Sequence, residues 1–266
     1  MSDTKPLALV TGASSGIGLE LAEQLAERGY DLVVNAEDDA RLQRAAGRVR
    51  AAGARVEVVR ADLRDPGETE RLFAEATGLG RPLDVVVLNA GVGRGGAFVD
   101  TDLADELEVI DLDVRSTVHL AKLVLRDMTA RDEGRVLVTS SIASTMPGSF
   151  QAVYNASKSF LQSFAEALQN ELKDTDVTLT SLMPGPTETD FFHRAGMDDT
   201  KVGRQEKDDL AQVARQGLDA LFAGKAGIVA GSAKTKAQAA ANKLLPDSLK
   251  AEAHRKMAEP GSGDEE

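Results

Sequence analysis

The chain has 266 residues, 42% of them hydrophobic, and its formal net charge is −12 at pH 7. This length allows one large hydrophobic core and requires no second domain. The negative charge argues against sequence-independent binding to nucleic acid or to an anionic membrane, and the absence of cysteine excludes disulfides and thiolate-bound metals.

The N-terminal residues 1–6 are polar, and no segment approaches the roughly twenty apolar residues of a membrane span. We therefore expect a soluble, cytoplasmic protein. The three histidines lack the spacing of metal ligands, so we expect no metal site. We interpret His119 as a core or interface residue, His193 as a loop residue and His254 as a surface residue.

Apolar runs that are typical of strands alternate with helical patterns along the chain. This alternation predicts right-handed parallel crossovers, and therefore an α/β protein with one doubly wound sheet and helices on both faces. The predicted strands are 7–10, 31–35, 55–60, 85–89, 135–140, 177–183 and 227–230. The Ala- and Arg-rich segment 45–54 is interpreted as a solvated helix.

A glycine-rich segment, Thr11-Gly-Ala-Ser-Ser-Gly-Ile-Gly18, lies between the first predicted strand and an amphipathic stretch at 19–28. Its first glycine permits a sharp turn, the second lets the backbone approach a pyrophosphate, and the third allows close helix packing. Free N–H groups at the start of the helix attract the anion. Such a turn is often only a turn, but the flanking strand and helix favour a dinucleotide site. The candidate residues are Gly12, Ser14, Ser15, Gly16, Ile17 and Gly18.

Ser141 directly follows the strand predicted at 135–140. Because ligands bind at the carboxyl ends of parallel strands, its hydroxyl is placed to hydrogen-bond a substrate oxygen. By itself, a serine in this position is an ordinary residue of a strand-end turn.

Tyr154 and Lys158 are four residues apart, a spacing that places both side chains on one face of a helix. A neighbouring cation favours the phenolate of a tyrosine, whose ordinary pKa of about 10 is too high for ready proton exchange at neutral pH. The pair is therefore a candidate acid/base. Alone, the same spacing is more often an aromatic ring beside a surface charge.

Together these motifs resemble those of the short-chain dehydrogenase/reductase family, and the similarity extends over about residues 7–192. The resemblance implies one Rossmann-type domain of about seven strands, a nicotinamide cofactor, and hydride transfer between an alcohol and a carbonyl compound. The motifs are Thr-Gly-x-x-x-Gly-Ile-Gly at 11–18, Asn89-Ala-Gly91, Ser141, Tyr154-x-x-x-Lys158 and Pro184-Gly185. We expect this domain to span 1–259.

The family's functional roles fall on matching positions of this chain. The resemblance implies that Tyr154 is the acid/base, that Lys158 binds the nicotinamide ribose and favours the phenolate, and that Ser141 holds the substrate oxygen. Beyond the glycine loop, the cofactor contacts it implies are Glu37, Asp62, Leu63, Asn89, Ala90, Gly91, Tyr154, Lys158, Pro184, Gly185, Thr187 and Thr189.

The choice of cofactor depends on the end of the second strand, where relatives that prefer NADP usually offer arginine. Here Glu37 and Asp38 follow the strand, and carboxylates bind ribose hydroxyls and repel a 2′-phosphate. We therefore expect NAD, although Ala36 occupies the usual position of the aspartate and Arg41 could still reach a phosphate. An NADP-dependent carbonyl reductase is the alternative.

Asp113 occupies the position where the family has an asparagine that binds a water linked to the lysine. A carboxylate there adds negative charge near Lys158, and it favours the cation while disfavouring the phenolate of Tyr154. Lowered activity, a shifted pH optimum and a tolerated replacement all remain open. A different class of function, a dinucleotide-binding sensor or scaffold with weakened catalysis, also remains.

The segment 190–207 corresponds to the mobile substrate lid of relatives. No charged residue is evidently directed into the pocket, so we expect an uncharged secondary alcohol or ketone with an apolar chain or ring. The aromatic residues of this segment could equally anchor it to the core. The candidate substrate contacts are Ser141, Gly93, Ala143, Met146, Phe150, Phe191 and Phe192, and Pro147 and Met197 are further candidates.

Residues 232–258 are predicted to form a C-terminal extension of two helices separated by Pro246. These helices cover the mouth of the site, form a subunit contact or pack on the domain. We expect residues 260–266 to be a flexible acidic tail. A homodimer or homotetramer is expected through the helices around 113–128 and 151–173, although burial within one chain would give a similar apolar pattern.

Overall fold

The computed structural model describes residues 5–264 and contains seven parallel strands in one sheet. The strands are β1 Leu7–Thr11, β2 Asp31–Ala36, β3 Val56–Arg60, β4 Val85–Leu88, β5 Gly134–Thr139, β6 Val177–Pro184 and β7 Gly227–Ala230. Their order across the sheet is β3-β2-β1-β4-β5-β6-β7. The predicted fold class and all seven strands are confirmed, with small differences at the strand ends.

Helices cover both faces of the sheet and meet two separate hydrophobic clusters. The helices are α1 Gly16–Glu27, α2 Asp39–Ala51, α3 Pro66–Thr77, α4 Leu103–Val109, α5 Thr117–Ala130, α6 Ala152–Glu171, α7 Phe191–Arg194, α8 Lys201–Arg204, α9 Leu210–Phe222, α10 Ala233–Asn242 and α11 Asp247–Ala258. A π-helical segment, Ile110–Ser116, joins α4 to α5.

Successive residues of β1 point to opposite faces, as the strand period requires. Ala8 and Val10 pack with α1, α2 and α9, whereas Leu7 and Leu9 pack with α3, α5 and α6. Burial on both faces explains why this strand is a continuous apolar run.

Helix α2 corrects the interpretation of 45–54 as a solvated helix. It ends at Ala51, and Leu42, Ala45, Ala46 and Val49 are buried against the sheet. Alanine is found both in the core and on the surface of proteins, so the sequence did not indicate which face of this helix is buried.

The apolar face of α6 belongs largely to the core of this chain. Leu161 is buried, and Phe164 and Leu168 pack against the same cluster beside the sheet. Burial within one chain therefore accounts for these three residues, while Phe160 on the same helix is exposed.

Helices α10 and α11 are present on either side of Pro246, and both form hydrogen bonds to the segment that follows β5. Residues 260–264 do not form a free tail, because the backbone N–H groups of Gly261 and Gly263 both bond to Asp199, each at 2.8 Å. Residues 265–266 of the predicted tail lie outside the described residues. Across 5–264, no helix is both long and apolar enough to cross a membrane.

The strand order places a crevice above the middle of the sheet. β1 pairs with β2 on one side and β4 on the other, so successive connections leave in opposite directions and separate at the carboxyl ends of these strands. The glycine-rich loop and the segments after β4, β5 and β6 all open onto this point.

Candidate active site

The glycine-rich loop lies tightly against the end of β4. Gly12 has φ +65°, and a Cβ on this residue would lie 2.9 Å from Ala90 Cα. A Cβ on Gly18 would overlap the carbonyl oxygen of Gly12. Larger residues at either position would therefore force the loop away from the sheet. This agrees with the sharp turn expected at Gly12 and the close helix packing expected at Gly18.

The start of α1 faces the cavity with free backbone donors. Its N-cap residue, Ser15, makes no side-chain hydrogen bond to the first turn, which leaves the initial N–H groups available to an anion. A Cβ on Gly16 would lie 3.0 Å from Thr189 Cγ2, so the absence of a side chain at Gly16 lets the glycine-rich loop approach the segment after β6 closely. The residues present here fit a dinucleotide cofactor.

One cavity extends from this loop along the carboxyl ends of the strands to the segment that contains Phe191 and Phe192. It is lined by every residue that the sequence assigned to cofactor binding. These are Gly12, Ser14, Ser15, Gly16, Ile17, Gly18, Glu37, Asp62, Leu63, Asn89, Ala90, Gly91, Tyr154, Lys158, Pro184, Gly185, Thr187 and Thr189.

Asn89 holds three strand ends together at the floor of the cavity. Its Nδ2 donates to the carbonyl oxygen of Thr11 at 3.1 Å, and its Oδ1 accepts from the hydroxyl of Thr139 at 3.1 Å. The side chain is therefore occupied in linking β1, β4 and β5, and this network fixes the cavity floor.

Ser141, Tyr154 and Lys158 meet beyond Asn89, at the end of β5 and in the first turns of α6. Ser141 Oγ accepts the N–H of Ala143 at 3.1 Å, and it lies close enough to the phenol of Tyr154 to oppose the rise in the pKa of that phenol. Lys158 Nζ lies 5.6 Å from the centroid of the Tyr154 ring. The same ring packs on Phe191, with the ring centroids 5.1 Å apart.

Burial raises the pKa of Tyr154 above its ordinary value, and the negative charge of Asp113 adds to this effect. Lys158 and Ser141 act in the opposite direction but do not overcome it. Lys158 therefore reduces the rise in the pKa of Tyr154 but does not produce a phenolate at neutral pH. Its effect on the phenol is weaker than the sequence predicted.

Asp113 contacts Lys158 directly instead of through a water. Its Oδ2 lies 3.0 Å from Lys158 Nζ, and its Oδ1 accepts the N–H of Val92 at 2.8 Å. Asp113 is 0% exposed and lies behind Lys158, outside the lining of the cavity. The missing side chain of Gly91 permits this approach, because a Cβ there would lie 3.0 Å from Asp113 Oδ1.

The pKa values of both members of this buried ion pair are raised. Burial raises the pKa of Asp113, against the lowering effect of Lys158 and of the hydrogen bond from Val92. Burial acts to lower the pKa of Lys158, but the charges of Asp113 and Tyr154 outweigh it and the net shift is upward. Lys158 is therefore held as a cation next to Tyr154.

Beside Glu37, the sequence missed Arg64. Its guanidinium pairs with Glu37, Asp62 and Glu108, and the hydrogen bonds from Arg64 lower the pKa of Asp62. The carboxylate of Glu37 therefore has a cation beside it. No motif marks this arginine, which only the folding of β2 against β3 brings to Glu37.

Arg41, which the sequence left as a possible phosphate ligand, lies between two carboxylates. Its guanidinium is 3.7 Å from Asp38 and 4.0 Å from Asp190. Because both partners are exposed, these contacts are weak and leave Arg41 able to move.

The substrate end of the cavity contains five of the seven predicted residues, Ser141, Ala143, Met146, Phe191 and Phe192. The other two, Gly93 and Phe150, do not line it. A Cβ on Gly93 would overlap the ring of Phe191, so this glycine packs beneath the ring. Phe150, with φ +63°, turns into the small cluster that also contains the fully buried Met197.

Several polar and charged residues of the lining were not identified from the sequence. At the substrate end and the C-terminal helices they are Gln151, Arg194, Gln205, Gln238 and His254, and at the strand ends they are Asn35, Thr139 and Ser140. The expectation that no charged side chain reaches the pocket is wrong at Arg194, which is exposed at its edge.

His254 was expected on the surface, but it is buried and lines the cavity. Docking of α11 on the domain is the reason, and no signal in the sequence of that helix marks its inward face. His119 and His193 are partly buried and exposed, respectively. Within 5–264, no group of three or more His, Cys, Asp or Glu residues is arranged to hold a metal ion.

Known proteins match both the sequence and the fold. The family model described as short chain dehydrogenase matches residues 6–200. The 3-oxoacyl-acyl-carrier-protein reductase of Escherichia coli is 31% identical over 197 residues, which cover 74% of this chain and 79% of that protein.

Two solved structures extend the comparison to bound cofactors. A short chain dehydrogenase/reductase from Burkholderia phymatum in complex with NAD has a TM-score of 0.81 and 25% identity, covering 92% of this chain and 94% of its own. A short-chain dehydrogenase from Sphingobium yanoikuyae in complex with NADPH has a TM-score of 0.79 and 28% identity, covering 90% and 94%.

Proposed function

This chain belongs to the short-chain dehydrogenase family of NAD(P)-dependent oxidoreductases, and we propose that it transfers a hydride between NAD and an uncharged secondary alcohol or ketone. The observation that carries this proposal is the meeting of Ser141, Tyr154 and Lys158 in the cavity that also contains the glycine loop. The proton donor and acceptor in this proposal is Tyr154.

When bound, the nicotinamide cofactor supplies or accepts the hydride. In carbonyl reduction, the phenol of Tyr154 donates its proton to the substrate oxygen, and Ser141 Oγ donates a hydrogen bond to the same oxygen. Lys158 stabilises the phenolate that remains. In alcohol oxidation, the phenolate accepts the hydroxyl proton.

The raised pKa of Tyr154 supports reduction as the reaction favoured at neutral pH. A protonated tyrosine is the form that reduction requires, whereas oxidation requires the phenolate and therefore alkaline pH. The carboxylate of Asp113 strengthens this asymmetry, because its charge opposes a second negative charge on the phenol.

We expect the Asp113→Asn variant to oxidise alcohols at lower pH than the wild type. The substitution removes a negative charge that raises the pKa of Tyr154, so the phenolate forms at lower pH. The measurement is kcat/KM for alcohol oxidation across the neutral and alkaline range.

The matched control is Asp111→Asn in the same π-helical segment, since the Asp111 side chain is 41% exposed and pairs with Arg115. It should keep the wild-type profile. An Asp113→Asn profile that is unchanged or displaced to higher pH would contradict the assigned role.

NADH is expected to bind more tightly than NADPH, and Glu37→Arg should reverse this preference. The carboxylate lies at the end of β2, where it accepts from ribose hydroxyls and repels a 2′-phosphate. We expect the ratio of the two dissociation constants to change at least tenfold, which corresponds to about 1.4 kcal/mol. Fluorescence titrations at one fixed salt concentration measure both constants.

Asp39→Arg is the control for this titration, because it makes the same change of charge on α2 at an exposed residue outside the cavity lining. It should leave the ratio near that of the wild type. Tighter NADPH binding by the wild type, or equal ratios in the two variants, would overturn the assignment of Glu37.

A second candidate function is NADPH-dependent reduction of a 3-oxoacyl group. The name of the Escherichia coli relative and the two basic residues at the cavity favour it, since Arg64 neutralises Glu37 and Arg194 is exposed at the substrate end. Tighter NADPH binding in the titration would select this candidate. A sensor with weakened catalysis is supported only by Asp113, and turnover of any ketone would exclude it.

We also propose that the segment 190–207 acts as a substrate lid and that the protein forms a homodimer or homotetramer. Phe191 and Phe192 support the lid because they line the cavity over Tyr154. Leu107 and Phe160 support the oligomer, since both are exposed apolar side chains on the neighbouring helices α4 and α6.

A further inference from the structure

Gln151 presents an unused hydrogen-bond donor at the substrate end of the cavity. The residue lines the cavity and is only 6% exposed. Its Nε2 is buried and has no hydrogen-bond partner within residues 5–264. An unpaired buried donor is unfavourable, so this amide favours a ligand that supplies an acceptor.

Gln151 is the N-cap residue of α6 and lies three residues before Tyr154, and both residues line the cavity. A substrate group bound by Gln151 therefore lies near the group that meets Tyr154.

His254 supplies a complementary acceptor. Its Nδ1 lies 2.9 Å from the carbonyl oxygen of Ser149, and a carbonyl only accepts, so the ring proton is on Nδ1. Burial lowers the pKa of His254, which keeps the ring neutral. The other nitrogen, Nε2, then carries a lone pair, and no second hydrogen bond to this ring is found in the described part of the chain.

Docking of the C-terminal helices brings the donor and the acceptor to one place. Ser149, two residues before Gln151, binds α11 twice, through His254 and through the carbonyl oxygen of Ala251 at 3.1 Å. Asn242 adds a bond to Thr145 at 2.8 Å. Since the family model ends at residue 200, α11 contributes a contact that membership of the family does not imply.

We propose that Gln151 and His254 form a polar subsite that binds a hydroxyl group on the carbon next to the reacting carbonyl. One hydroxyl satisfies both residues, because its oxygen accepts from Gln151 Nε2 while its hydrogen is donated to His254 Nε2. This inference rests on the proposed function and names its substrates as hydroxyketones and the corresponding diols.

The apolar lining around this subsite restricts the rest of the substrate. Met146, Phe192 and Met257 border the same end of the cavity, so the remaining part of the hydroxyketone is a short hydrocarbon chain or ring. A 3-oxoacyl compound has no hydroxyl on this carbon, and its acyl carbonyl one bond further only accepts, so His254 Nε2 would remain unpaired.

The kinetic test compares 2-hydroxycyclohexanone with cyclohexanone as substrates of the holoenzyme. We expect kcat/KM to be about tenfold or more higher for the hydroxyketone, the effect of one or two buried hydrogen bonds. Gln151→Met and His254→Phe should each reduce that ratio to about twofold or less. Lys256→Ala, on the exposed side of α11 with a side chain 72% exposed, should retain the wild-type ratio.

A wild-type ratio near one, or a ratio that neither substitution reduces, would overturn the proposal. A ketoester that is preferred to the hydroxyketone, with only Gln151→Met affecting the preference, would also overturn it. That result would select an acceptor-only substrate.

A binding measurement separates this inference from the proposed function. The chain has three histidines, so the ring signals of the NADH-bound protein are simple to assign by NMR with single-histidine variants. The reduced cofactor cannot oxidise the added alcohol. We expect cyclohexane-1,2-diol to shift the His254 signal saturably, whereas cyclohexanol should not shift it.

Equal shifts with both alcohols, or no shift with the diol, would overturn the subsite. A saturable diol shift in a protein that turns over no ketone or alcohol would support the subsite and refute the proposed function. Because this measurement is made on the wild type, a folding defect in His254→Phe does not affect it.

Discussion

Replacing Tyr154 with phenylalanine should lower turnover by about 10²–10⁴-fold, the usual contribution of a positioned general acid/base. The substitution deletes only the phenolic oxygen, which is the atom that exchanges a proton with the substrate. The remaining ring still packs on Phe191, where the ring centroids are 5.1 Å apart, so folding and cofactor binding should persist. Steady-state kinetics and a cofactor titration on the same preparation measure both quantities.

The chain offers a matched control, because Tyr30 is its only other tyrosine. Tyr30 packs on Phe222 with ring centroids 5.8 Å apart, and it lies outside the cavity lining. Tyr30→Phe should keep wild-type turnover. Substantial turnover by Tyr154→Phe would refute the acid/base assignment, and equal losses in the two variants would attribute the effect to stability.

Replacing Lys158 with methionine should destabilise the protein by about 3–5 kcal/mol, the typical effect of removing one partner of a buried ion pair. The substitution leaves the carboxylate of Asp113, which is 0% exposed, without its cation. The backbone N–H of Val92 still donates to it, but one hydrogen bond does not replace the charge. Chemical denaturation gives the free energy of unfolding.

The loss of stability in Lys158→Met should increase as the pH rises from mildly acidic to neutral. Burial already raises the pKa of Asp113, and loss of Lys158 removes an opposing effect. The folded protein then binds a proton that the unfolded chain releases, so stability falls as pH rises from the ordinary pKa of aspartate to the raised value. The deficit of Lys158→Met should be smaller at mildly acidic pH than at neutral pH.

Two further variants identify the cause of this deficit. Asp113→Asn in the Lys158→Met background removes the unpaired charge and should recover most of the lost stability, to within about 1–2 kcal/mol of the wild type. Lys122→Met makes the same substitution at an exposed position of α5 and should change stability by less than about 0.5 kcal/mol. No recovery in the double variant, or a pH-independent deficit, would contradict the role of the ion pair.

The fold was accessible from the sequence because strand burial has a local signature. Each of the seven strands is a short apolar run between turn residues, and the observed strand ends differ from the predicted ones by only a few residues. Helix faces were harder to assign. In α2, the buried Ala45 and Ala46 are followed by exposed arginines, and alanine does not distinguish the two environments.

The parts of the site that come from single segments were also predictable. The glycine loop surrounds one turn, and Tyr154 and Lys158 share one helix, so their spacing fixes which side chains meet. Gly93 and Phe150 show where this reasoning fails. Both lie close to the site in sequence, but packing beneath Phe191 and beside Met197 turns them away from the cavity.

The sequence by itself determined the doubly wound sheet, the glycine-rich cradle and the identity of the residues that line the cofactor end of the cavity. Only the tertiary structure decided which distant side chains are in direct contact: Arg64 pairs with Glu37, Asp113 contacts Lys158 without an intervening water, and His254 reaches the substrate end of the cavity. The physical reason is that helix and strand periods arise from local backbone geometry and are written in residue spacing. Contacts between separate elements depend instead on how those elements pack, and no local spacing encodes that packing.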